Sequence, residues 1–159
     1  VYKRQRPPRV DDEEHEDYLL QQACRASASK SFDYHVLALL IAGLTGHSVD
    51  KQMMLFLGAC FHLVEVEDDL KDYRKDHETG AFNIYAAFVR RYGADAPNRL
   101  RNWIGEREAY YLEARRAADL PDELIRFHVE RNEAQGGAGP VMAPGTGRWL
   151  IPDPILIFL

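Results

Sequence analysis

Cysteine is nearly absent from this sequence. Only Cys24 and Cys60 occur in 159 residues, far apart and without metal-type spacing. That excludes a disulfide scaffold and suits a reducing, cytoplasmic setting. No apolar run approaches the roughly 20 residues of a membrane-spanning helix, and no signal peptide is visible. An excess of basic residues is also missing: the formal net charge is -5, which gives no reason to expect nucleic acid as a partner. No segment alternates as a half-buried strand, and there is no internal repeat. What is present is 46% hydrophobic and 28% charged residues, the balance of a globular domain with a real core.

The periodicity predicts helices throughout. Val1–Gln5 resembles a translated adapter remnant, and 1–9 is set aside as an artefactual or disordered lead-in. Asp11 to about Ser27 reads as a helix whose acidic first turn complements the helix dipole. Phe32 to Leu44 is apolar on most sides and is expected to be a buried helix, ended at Thr45-Gly46. Ser48 is a plausible N-cap for a helix from Val49 to about Asp76. In its second half Leu63, Val66, Leu70 and Tyr73 form a core stripe. Phe82–Tyr92 is a further helix closed by Gly93. Asp95 caps the next, with Pro97 in its first turn, running to about Ala118 with Leu100, Trp103, Ile104, Tyr111 and Ala114 inward. Pro121–Ala134 is a last short helix, stopped by Gly136-Gly137. The fold class is all-α, an antiparallel helical bundle over 10–135. A Gly/Pro-rich tail with an apolar end covers 136–159, either a frameshifted or truncated edge or a segment docked on the core.

The most informative feature is the acid run Glu65–Asp76. Six carboxylates fall in twelve residues: Glu65, Glu67, Asp68, Asp69, Asp72 and Asp76. Asp68, Asp72 and Asp76 recur every fourth residue, so a helix stacks them on one face, away from the apolar stripe. Like charges so spaced destabilise a helix by roughly 0.2–0.5 kcal/mol per pair. A bound divalent cation offsets that cost. Mg²⁺ takes oxygen ligands, usually one or two carboxylates plus phosphate oxygens and waters. Lys75 and Arg74, in the same turn, are placed to hold a diphosphate and stabilise it as a leaving group.

The segment Asp68–Asp76 (DDLKDYRKD) resembles the second metal-binding motif of class I terpenoid and isoprenoid synthases. Asp68 fills the first place of that motif, Asp72 the fifth, Lys75 the eighth and Asp76 the ninth. The core Asp68–Asp72 is also similar to the second Asp-rich motif of trans-prenyl diphosphate synthases, and Phe82–Tyr85 to the Asn-containing helix start after the cyclase motif. The resemblance covers about Lys30 to Arg116. It implies that Asp68, Asp72 and Asp76, with Asp69 and Glu65 as further candidates, bind Mg²⁺. Lys75 and Arg74 would contact the diphosphate, with Arg90, Arg91 and Tyr92 as weaker candidates. Phe61, Tyr34, Tyr73 and Tyr85 would line the pocket. It also implies a partial isoprenoid-synthase-like fold whose cavity holds a prenyl diphosphate substrate. There an allylic diphosphate is ionised to a carbocation for cyclisation or coupling, and a homodimer stays open. The ninth position is Asp where cyclases prefer Glu. The family's first Asp-rich motif is absent, since Asp11–Asp17 reads as a solvated helix start. The chain is therefore expected to be a fragment of a larger catalytic domain, and its activity alone stays open.

The rival reading is a non-catalytic helical-bundle interaction module with a solvated acidic face. Glu67–Lys71 and Asp72–Lys75 are favourable helix pairs, and charge runs of this kind are common on surface helices. His62, three residues before Glu65, lacks the second Glu-x-x-His of a di-metal bundle and reads as packed or at a rim.

Overall fold

The organising element is the longest helix, α3 (Lys51–Thr79). It starts at Asp50, whose backbone is extended and whose carboxylate accepts the Met53 N–H at 2.8 Å. Ser48, the expected cap, lies two residues too early to reach that turn. At the other end Gly80 takes a left-handed conformation (φ 69°), and its N–H reaches the Asp76 carbonyl oxygen. A side chain with a Cβ is strained at such a φ, which is why glycine ends the helix.

The computed structural model describes residues 10–119 and 149–156. Around α3 lie α1 (Val10–Ser29), α2 (Phe32–Thr45), α4 (Ile84–Tyr92) and α5 (Ala96–Ala117), with a short 3₁₀ turn at Gly93–Asp95. There is no strand among the described residues, so the fold is the all-α helical bundle that the periodicity indicates. The helix expected over Pro121–Ala134 lies outside the described residues.

Two apolar clusters run along α3. One joins its C-terminal half to α4 and the start of α5 through Val66, Leu70, Tyr73, Ile84, Tyr85, Phe88, Leu100 and Ile104. The other joins its N-terminal half to the end of α5 through Phe56, Ala59, Cys60, Leu63, Tyr111 and Ala114. The expected stripe Leu63, Val66, Leu70 and Tyr73 is buried throughout. Trp103 is only half-buried, its ring edge to the His62 imidazole at 5.5 Å. The C-terminal segment 149–156 lies on the core as an extended strap. Trp149 donates to Glu108 at 2.9 Å, Tyr85 donates to the Pro152 carbonyl at 2.7 Å, and the Ile155 N–H donates to the Tyr73 hydroxyl at 3.0 Å.

α2 departs from expectation: not one of its residues is buried. Its half-buried side chains are His35, Ala38 and Ala42, which share one narrow stripe, and its main neighbour is α3. The large side chains, Phe32, Leu37, Leu40, Ile41 and Leu44, point elsewhere and are exposed, Leu44 by 88%. A helix that is apolar all round needs neighbours on all sides, and the described residues supply one. Periodicity shows what a helix can bury. It does not show what is there to bury it.

That contrast gives a direct test by chemical denaturation. Leu100→Ala removes a fully buried side chain and should cost about 3 kcal/mol. Leu40→Ala, on the open face of α2, should change stability by less than about 0.5 kcal/mol. A large loss at Leu40 would show that α2 is covered in solution.

Candidate functional site

The acids of α3 fall into two groups that the sequence does not separate. Gly58, Phe61, Glu65, Asp68, Asp72 and Asp76 follow one another at intervals of three or four residues and so share one stripe. α2 lies over the start of that stripe: Tyr34 and His35 each meet the Phe61 ring at 5.3 Å. Beyond the α1–α2 corner the stripe is uncovered. The Asp68 side chain is 62% exposed and the Asp72 side chain 54% exposed. Their partners are loose: Lys71 is 4.0 Å from Asp68, and Lys75 is 3.5 Å from Asp72. Asp76 is half-buried and accepts a hydrogen bond from Asn83 at 2.9 Å. Arg74 and Lys75 are exposed in the same turn.

Asp69 is different. It is 1% exposed, although it sits in the middle of a charged run. One carboxylate oxygen accepts from Lys30 at 2.6 Å, and the other accepts from the Ile84 N–H at 2.9 Å. Lys30 also meets Glu65 at 3.2 Å. Burial works to lower the Lys30 pKa, but its hydrogen bonds and charge pairing with Asp69 and Glu65 outweigh it and hold the ammonium above its ordinary value. Asn83 completes the cluster. Its amide donates to the Asp69 carbonyl and to Asp76, and its oxygen caps α4 by accepting from Tyr85 and Ala86. Sequence reading placed Asp69 and Glu65 with the metal candidates. The structure ties both to Lys30, at the turn between α1 and α2.

The weaker diphosphate candidates are also engaged. Arg90 grips Glu16 with two bonds of 2.9 Å, and Arg91 pairs with Asp17 in the same forked way. The basic end of α4 thus clamps α1, and Asp11–Asp17 is more than a solvated helix start. Tyr92 lies under the guanidinium groups of Arg91 and Arg99, each 5.2 Å from its ring. Of the pocket candidates, Tyr73 and Tyr85 pack against each other in the core at 4.6 Å, and burial pushes the Tyr85 hydroxyl up to about 12. Phe61 and Tyr34 sit at the α2–α3 contact.

Among the described residues, no group of three or more His, Cys, Asp or Glu side chains converges on one metal position. Asp68 and Asp72 on successive turns still suit the partial shell that Mg²⁺ takes from protein, the rest coming from phosphate oxygens and water. No family model, no curated protein and no solved structure matches the chain.

A cleft among the described residues lies at the N-terminal half of α3. It is lined by Ala28, His35, Met54, Leu55, Gly58, Ala59, His62, Arg107 and Tyr110. His62 is one of its polar groups. Burial and then the nearby Arg107 push its pKa down to about 4. Sequence reading treated His62 as a packed or rim residue. It had no means of joining it to Arg107, 45 positions away on another helix.

Two measurements test this electrostatic layout. Lys30→Met leaves the buried Asp69 carboxylate without its counter-ion and should cost about 2–3 kcal/mol in urea denaturation. Lys71→Met should cost less, about 1 kcal/mol at most, because Lys71 itself is 46% exposed and its partner Glu67, though largely covered, keeps contact with solvent. For His62, the unfolded chain takes up a proton below pH about 6.5 and the folded chain only below about 4. Stability therefore falls as pH drops through that window. His62→Gln should flatten that fall, and an equally steep fall in the variant would contradict the assignment.

Proposed function

We propose that the uncovered stripe of α3 binds Mg²⁺ and, through it, the diphosphate of a prenyl diphosphate, as one wall of a class I isoprenoid or terpene synthase domain. The observation that carries the reading is continuity. The acid ladder extends the same stripe of α3 that the apolar helix α2 overlies, so an apolar wall and a row of carboxylates lie end to end. An amphipathic substrate with a hydrocarbon tail and an anionic head has that polarity.

The roles follow from the side chains. Asp68 and Asp72 are exposed carboxylates one turn apart, free to supply oxygen ligands. Asp76 is held in place by Asn83. Lys75 sits at the edge of the row, where its ammonium can meet the diphosphate. Bound Mg²⁺ would supply charge neutralisation of the leaving diphosphate. Ionisation breaks the allylic C–O bond, both electrons leaving with the diphosphate, and the carbocation then needs a water-poor apolar surface. The bare face of α2 is such a surface once further helices cover it. Its exposed apolar side chains are otherwise hard to account for on a monomer.

A second reading has its own support. Asp68 and Asp72 face solvent, and Lys71 and Lys75 lie beside them as on an ordinary charged helix. On that reading the protein is a helical interaction module without catalysis.

Calorimetric titration with inorganic diphosphate separates the two. The synthase reading expects binding with Mg²⁺ present and none with Mg²⁺ removed. Asp72→Asn should abolish that binding. Lys75→Gln should weaken it roughly tenfold, the loss of one charge-assisted hydrogen bond. Both residues are exposed, so circular dichroism should show the helical content intact. Diphosphate heats that ignore Mg²⁺ and Asp72 would leave the interaction module standing.

A further inference from the structure

We propose that the cleft between α1, α2, α3 and α5 is a binding site for a small organic carboxylate with a short apolar body, separate from the α3 acid ladder. The cleft encloses about 330 Å³, at the small end of ligand sites. It opens against the N-terminal half of α3, whereas the ladder occupies the C-terminal half.

The permanently charged side chain among the described lining residues is Arg107. The guanidinium lies 5.0 Å from the centroid of the Trp103 ring, and two-thirds of the side chain is covered. Its hydrogen-bond partner among the described residues is the exposed Glu106, at 3.4 Å. Arginine carries five N–H donors in a rigid fork, and among the described residues Glu106 takes up one of them, so the fork stays accessible from the cleft mouth. A carboxylate matches that fork with two parallel bonds.

The other polar groups in the cleft do not compete for the anion. His62 is a neutral imidazole whose Nε2 is within 3.3 Å of the Ser27 hydroxyl. The His35 Nδ1 lies 3.1 Å from the Ser31 carbonyl oxygen, so that nitrogen is engaged as a donor. Among the described residues, no carboxylate lines the cleft. Met54, Leu55 and Ala59 supply an apolar side against which a short hydrocarbon or ring can lie. Gly58 keeps the space open: a Cβ there would stand 3.2 Å from the His35 Nε2.

The test is an amide NMR titration of the intact chain, without Mg²⁺, using benzoate and hexanoate as probes and hexan-1-ol as the uncharged control. Saturable shifts are expected at Ala28, Gly58, Ala59 and Arg107 with both carboxylates, and none with the alcohol. Arg107→Gln should weaken binding about tenfold. Gly58→Ala removes a helix-weakening glycine, so it keeps the fold while crowding the cleft, and should weaken binding similarly. Absence of saturable shifts, equal binding of the alcohol, or unchanged affinity in both variants would overturn the proposal. Because Mg²⁺ is absent, the outcome is independent of diphosphate binding at the ladder.

Discussion

One buried carboxylate ties the bundle together. Asp69 sits in the interior of the charged run, where an unpaired anion would be costly, and everything around it is arranged to meet it. The ammonium of Lys30 comes from the corner between α1 and α2, and the Ile84 N–H comes from the first turn of α4. Asn83 then holds the Asp69 carbonyl with one end and caps α4 with the other. Two junctions along the chain are thereby fixed to one point on α3. Such a cluster adds less net stability than its bond count suggests, because each charge has lost its water. Its consequence is specificity: shift the α1–α2 corner or the start of α4, and a charge is stranded in the core.

That arrangement also sorts the acids of α3. Asp69, and with it Glu65, is consumed by Lys30, so it is structural. Asp68 and Asp72 lie outside this network, and the next acid of their row, Asp76, accepts a bond from Asn83. The same asparagine that steadies the core therefore steadies the end of the candidate ligand row. The apolar faces are divided in a similar way. α2 meets α3 through its small residues, Ala38 and Ala42, and turns its large ones outward. An apolar wall beside an open row of carboxylates is the combination that the functional proposal rests on.

Much of this was legible in the chain. The core stripe of α3, the stops at Gly46, Gly80 and Gly93, and the inward faces of α5 follow from spacing and from the conformational freedom of glycine, which are local properties. The cap of α3 was misplaced from Asp50 to Ser48 because both are good capping residues, and the choice depends on where the backbone becomes extended. Asp95 occupies its expected place before α5, but its carboxylate bonds to Asn98 and Arg99 and makes no cap bond to the backbone. The pairing of Arg90 and Arg91 with Glu16 and Asp17 spans 74 residues, and nothing local announces it.

The sequence alone determined that the chain is helical, where most helices begin and end, and that α3 carries an acid ladder apart from an apolar stripe. Each of these depends on neighbours within a turn or two. Only the tertiary structure decided which acid of α3 is buried, that the described residues cover α2 on one side alone, and that Arg107 and His62 share a cleft. Burial, charge pairing and cavity shape are set by contacts between distant segments, and helical periodicity carries no information about which partner will stand opposite.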